Sequence, residues 1–243
     1  VVRDEAGLPD RLRRIVADAW AFRWKVELEA EIRFARLAER LSRIGALSTI
    51  VEMASRAASD ERRHASICAE LALEYGHQGI DEHAVMAPEI APRRLSERQR
   101  VLYEVVAACC ITETESASVL TTLVNSARSQ RMLTQLRELL RDEVSHSRLG
   151  WAHLAQERAQ GDVSFLSRLV PYMLEGTIAE GLFEQSPEEL ESPQLLEHGV
   201  LPHSSKRATF VATLSEVIFP GLERLGVDPG PGREWLSQES RSR

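Results

Sequence analysis

Asp60-Glu61-Arg62-Arg63-His64 is echoed eighty-two residues later by Asp142-Glu143-Val144-Ser145-His146. The same offset carries Glu31 onto Glu113, so each half of the chain reads a lone Glu followed by Asp-Glu-x-x-His, with its two glutamates thirty positions apart. On a helix, the Glu and His of a Glu-x-x-His step are neighbours on one face. Two such steps and a lone Glu from each of two other helices supply four carboxylates and two imidazoles. That is the donor set of a dinuclear carboxylate site inside a four-helix bundle.

The spacing makes the constellation buildable. Residues of an antiparallel helix hairpin lie at one height when they are equidistant from the turn. The midpoint of Glu31 and Glu61 falls at Ala46, beside Gly45, and that of Glu113 and Glu143 at Arg128 within Asn125-Ser126-Ala127-Arg128-Ser129. Both midpoints coincide with the best turn signal in their half. Each lone Glu is then level with its Glu-x-x-His partner, roughly 22 Å from the turn at about 1.5 Å per residue.

On these six positions the sequence resembles the ferritin-like dinuclear iron superfamily over roughly residues 10–160. The group includes ferritins, rubrerythrins, ribonucleotide reductase small subunits and bacterial diiron monooxygenases. The resemblance implies two bound iron ions, with manganese or a mixed Mn/Fe pair as variants, reacting with oxygen or peroxide. It implies Glu31 and Glu113 as terminal ligands, Glu61 and Glu143 as bridges, and His64 and His146 as one nitrogen ligand for each ion. In the similar oxidases an Asp at the position of Asp60 or Asp142 orients the His of the opposite motif, and Arg63 matches their Asp-Glu-x-Arg-His pattern. The second motif has Ser145 there, so that match is one-sided.

Length and composition set bounds on the rest. With 243 residues, 43% of them hydrophobic, the chain can bury one substantial core and a small appendage. No apolar run is long enough to span a bilayer and no charged-then-apolar signal opens the sequence, so a cytoplasmic, non-membrane protein is expected. A net charge of −7 argues against a nucleic-acid binder. The three cysteines form no disulfide framework and no Cys-x-x-Cys metal site.

The periodicity predicts an all-α chain. Residues 1–161 read as a ferritin-like four-helix bundle with a long crossover between its second and third helices. The expected spans run from Leu8-Pro9-Asp10 to Ile44, Leu47 to Tyr75, Ser96 to Ala127, and Arg131 to Gln160. Ser96 with Gln99 reads as a capping box, and Gly76 suits the residue after a helix end. Residues 162–228 are expected to form a helical extension that packs over one end of the bundle or builds a homodimer interface, with Pro171 forcing a kink or a break and Pro220 a kink. Ser186-Pro187 and Ser192-Pro193 each announce a short turn, Ser205 caps a last helix, and residues 229–243 read as a mobile tail in which only Trp235-Leu236 docks.

Several residues near the motifs compete for roles. Glu27 lies one turn from Glu31 and is its rival as ligand, whereas half-to-half symmetry selects Glu31. Cys68 and Cys109 sit one turn from His64 and Glu113, and small buried hydrophobes are the default for Cys. His153 shares the face of His146 about 10 Å up the axis, which places it beyond ligation distance. Where radical-forming reductase subunits carry Tyr the chain has Cys68. Where the monooxygenases carry Thr it has Ala117, and where arylamine N-oxygenases add a His it has Leu139. The four-cysteine domain of rubrerythrins has no counterpart.

The expectation is therefore a diiron oxidase or monooxygenase that activates O2 to oxidise a small organic substrate, with a reductase or ferredoxin as electron donor. The alternative is a ferritin- or rubrerythrin-like iron-binding or peroxide-scavenging protein. A tRNA-hydroxylase-like enzyme is a third reading, disfavoured by the acidic balance, and a purely structural bundle a fourth.

Overall fold

The computed structural model describes residues 8–176 and 181–241, and among these there is helix and no strand. Helix α1 (Asp10–Arg43) and helix α2 (Ser48–Glu74) form one antiparallel hairpin. Gly45 makes its turn at φ +73°, and the Ala46 N–H returns to Leu41 O. After a crossover, α3 (Glu97–Val105) passes through a π-helical stretch, Val106–Thr112, into α4 (Glu113–Ser126). Helix α5 (Gln130–Gln160) runs back along α4. The hairpins face each other through α2 against α5 and α1 against α3.

Ser96 and Gln99 form the predicted capping box, each side chain accepting from the other's backbone N–H. The crossover is tied to α1 by three arginines. Arg36 donates to Ala87 O and Pro88 O, Arg33 donates to Pro88 O, and buried Arg40 bridges Glu97 and fully buried Glu104. Glu104 also accepts the Ile90 N–H at 3.3 Å. A buried ion pair of this kind contributes little net stability unless each partner is fully hydrogen-bonded, and here both are.

Two apolar layers fill the bundle. One, near the α1–α2 turn, holds Phe34, Leu37, Leu41, Ile50, Val105 and Leu149. The other holds Trp20, Trp24, Leu28, Leu71, Leu120 and Leu139. Both motifs and Glu113 lie between these layers, so apolar side chains close the polar belt above and below.

The C-terminal segment differs from expectation. Pro171 sits in the first turn of a short α6 (Val170–Glu175), where its missing N–H costs nothing, so the chain breaks there from the tight turns of Ser164–Leu169 into a new helix. Tight turns over Glu188–Glu191 and Pro193–His198 follow the two Ser-Pro signals. Helix α7 (His203–Thr213) begins ahead of Ser205, and a π-helical stretch, Leu214–Ile218, leads into α8 (Phe219–Arg224), whose first turn takes Pro220. Asp228-Pro229-Gly230-Pro231-Gly232 leads into α9 (Gly230–Arg241), because Pro231 in a first turn needs no hydrogen-bonded N–H. Trp235 and Leu236 are buried, and the tail expected to be mobile is helical to Arg241. The extension shares one core with Leu102, Val106, Cys110 and Leu154, so it is a continuation of the bundle's second half. Residues 177–180 of the extension lie outside the described residues, and 181–184 form a turn closed by the Glu184 N–H on Gly181 O.

Helix α5 and the π stretch approach closely at Gly150, where a Cβ would come 2.6 Å from Cys109 Cβ and 2.8 Å from Cys110 N. Gly150→Ala must therefore push two packed backbones apart. Its expected cost is about 1–3 kcal/mol in urea unfolding, the range for overpacking a core.

Candidate metal centre

The hairpin geometry places the donors. Glu27 lies sixteen residues inside the end of α1 at Arg43, and His64 lies sixteen inside the start of α2 at Ser48. Glu113 and Glu143 are each thirteen residues inside the turn ends of α4 and α5. The side chains that meet are Glu27, Glu61, His64 and Glu143 in one group and Glu61, Glu113, Glu143 and His146 in a second. Within each group one donor atom per residue lies within 4.8 Å of the others, and Glu61 and Glu143 belong to both. All six residues are buried.

Glu31 is not among them, which corrects the choice made on half-to-half symmetry. Its carboxylate turns to Arg62, 2.8 Å away, and Arg62 in turn reaches exposed Glu82 at 3.5 Å. Periodicity puts Glu27 and Glu31 on the same seam of α1. The surface guanidinium draws Glu31 outward, and Glu27 takes the interior position.

The two imidazoles are oriented alike. His64 Nδ1 faces Glu61 at 3.2 Å and Glu143 at 3.7 Å, while its Nε2 lies 3.3 Å from Asp142. His146 Nδ1 faces Glu61 at 2.9 Å and Glu143 at 3.5 Å, while its Nε2 lies 3.4 Å from Asp60. Each motif's Asp thus meets the other motif's His, an arrangement that fixes ring orientation and raises the basicity of the inward nitrogen. Arg63 spans both aspartates, at 3.0 Å from Asp60 and 2.6 Å from Asp142, and also binds Glu138. Arg141 adds a second guanidinium on Asp142 at 2.9 Å.

Whether these residues fit a cation is tested by their unsatisfied atoms. Glu61 Oε1, Glu143 Oε2 and His146 Nδ1 are buried without a hydrogen-bond partner. They nevertheless face one another at 2.9 and 3.5 Å, so their lone pairs converge on a common point. In the metal-free chain the proton on His146 stands between these acceptors; without it they converge with no donor, which is costly in a protein interior and which a cation at their focus relieves. The donor set fits.

Protonation in the metal-free chain points the same way. Burial pushes the Glu27 carboxyl well above the usual range, with the Glu61 and Glu143 charges adding to it. Glu113 is raised by burial and then by Glu143. Burial opposes ionisation of Glu143, but hydrogen bonds from Glu113 and His146 prevail and bring it down to about 2. Against its own burial, His146 is held protonated up to about 11 by the Glu143 and Glu61 carboxylates. Protons therefore occupy the cluster where cations can replace them.

The remaining candidates stand nearby or apart. Cys68 and Cys109 are fully buried, and burial pushes both thiols well above the usual range, so neither is a reactive thiolate. His153 is fully buried with Glu157 at 3.9 Å and belongs to neither donor group. Sequence reasoning missed the Arg40–Glu104 pair and the π stretch just before Glu113. Two surface clefts, of about 280 Å³ beside Arg98 and Phe165 and about 410 Å³ beside Ala35 and Ala58, include none of the donor residues. No described helix is long and apolar enough to cross a membrane.

No family model, curated protein or solved structure matches the chain. Two outcomes are expected from the geometry. Glu27→Ala binds one divalent ion per chain in anaerobic titration where the parent binds two, and Glu31→Ala keeps both. Because His146, Glu27 and Glu113 must shed protons to ligate, binding at neutral pH releases protons and tightens as pH rises. Calorimetry in buffers of different ionisation enthalpy reads that release directly.

Proposed function

We propose that the chain is a ferritin-like diiron oxidoreductase, an oxidase or oxygenase that activates O2 to oxidise a small organic molecule. The observation that carries this reading is the pair of four-donor groups sharing Glu61 and Glu143. The antiparallel hairpins and the long crossover support the ferritin-like part of it. Carboxylate oxygens with one imidazole at each position suit iron or manganese and leave coordination sites free for a reactant.

In this reading Glu61 and Glu143 would serve both ions, Glu27 and His64 would complete one donor set, and Glu113 and His146 would complete the other. Asp142 and Asp60 hold the outward nitrogens of the two rings, and Arg63 ties the two aspartates to each other. The apolar layers around Phe34 and Leu120 exclude bulk water. A bound iron pair would supply the electrons that reduce O2. Turnover then calls for an external reductase or ferredoxin.

A second reading is iron oxidation or peroxide removal without an organic substrate. The close burial of all six donor residues favours it, because small inorganic reactants need no large opening. The test is anaerobic Fe(II) loading followed by O2, counting iron oxidised per chain. Saturation at two per chain, abolished in Glu61→Ala and His146→Ala, supports the oxidoreductase reading and opens a substrate search. Uptake far beyond two moves the chain to iron storage, and no binding overturns both readings.

A further inference from the structure

The two halves of the donor set share Glu61 and Glu143 but differ in the fixed charges around them. Beside the first position, Arg23 Nε stands 4.0 Å from Glu27, with side-chain exposures of only 20% and 8%. The Arg23 guanidinium is held over Trp20, 5.4 Å from the ring centroid, so it does not swing away freely. Among the described residues no ion pair links Glu113, the corresponding carboxylate of the second position, to any cation.

The outer partners are unequal in the same direction. Asp142, which faces His64, is shared between Arg63 at 2.6 Å and Arg141 at 2.9 Å. Asp60, which faces His146, meets Arg63 alone, at 3.0 Å. A carboxylate committed to two guanidiniums is a poorer acceptor for an imidazole N–H, so His64 gains less donor strength than His146. Arg141 is 68% exposed and well screened, which leaves Arg23 as the larger influence.

We propose that the two positions bind unequally: the Glu113–His146 position takes its ion first, and the Glu27–His64 position is weaker and exchangeable, with Arg23 setting its affinity. The inference rests on the dinuclear reading above. An arginine within a few ångströms of a ligand carboxylate, at low exposure, repels a dication enough to weaken binding roughly tenfold or more. Such a difference permits a chain loaded with one ion, or with two different metals placed in order.

The experiment is anaerobic Mn(II) titration of the full metal-free chain, with free Mn(II) followed by electron paramagnetic resonance and heat by calorimetry. Two steps are expected, at least about tenfold apart in Kd. His64→Ala should delete the weaker step and His146→Ala the tighter one. Arg23→Met should strengthen the weaker step several-fold and leave the tighter one in place, while Arg23→Lys keeps the parent pattern. Circular dichroism checks each variant's fold, and the histidine pair decides the order of loading even if Arg23→Met is unstable. Two ions entering in one step that Arg23→Met does not alter, or loss of the weaker step in His146→Ala, would overturn the inequality while leaving a dinuclear site. Absence of any Mn(II) or Fe(II) binding would instead remove the dinuclear reading itself.

Discussion

Four glutamates buried at one level of a helical bundle repel one another, and much of the structure can be understood as the means of holding them there. An isolated buried carboxylate is too costly to persist ionised, so it takes up a proton or meets a cation. The metal-free chain does the first: Glu27 and Glu113 are raised by burial, and His146 stays protonated against Glu61 and Glu143. The same atoms, freed of protons, present two sets of converging lone pairs. Apolar layers on either side prevent water from relieving the strain.

Keeping mutually repelling helices together requires ties elsewhere, and those are ionic and steric. Arg33, Arg36 and Arg40 fasten the crossover and α3 to α1, with Glu104 as the buried acceptor. The π stretch does related work at the site itself. In it the Glu113 N–H reaches back to Ala108 O, and Thr112 Oγ1 donates to Ala107 O. The wider turn brings Cys109 against Gly150 and leads directly into Glu113. Such bulges cost hydrogen-bond geometry and occur often at functional sites.

The repeat, the hairpins, the capping box and five of the six grouped donors were legible, because each depends on helical periodicity and distance from a turn. The choice between Glu27 and Glu31 was not. Both lie on one seam of α1, and the deciding contact is the reach of a long side chain, Arg62, from the neighbouring helix. Symmetry between the halves misled for the same reason: Arg62 and Arg63 have Val144 and Ser145 as their counterparts. The Arg40–Glu104 pair was invisible because isolated charges in a helical pattern read as solvated. The proline-rich end failed differently. Pro171 and Pro220 read as interruptions and the segment around Pro231 as mobile; instead Pro171 and Pro231 stand in the first turns of helices, where proline costs nothing, and Pro220 follows directly on a π-helical stretch.

The packing of the C-terminal helices bears on the unequal halves as much as the charges do. Their core joins Val106, Ala107, Cys110 and Ile111 of the π stretch and Leu154 of α5, so the segment leading into Glu113 is enclosed on both sides. Glu27 is as deeply buried as Glu113 but lies outside that core. It stands on α1 next to Arg23, and its helix meets the extension chiefly near Trp20, whose indole N–H donates to His198 O. A ligand on an enclosed segment loses little conformational freedom when it binds, whereas one beside a competing cation must first give up that contact. Rigidity and charge thus favour the same position. The near-symmetry of the sequence produces two donor groups of the same composition in surroundings that differ.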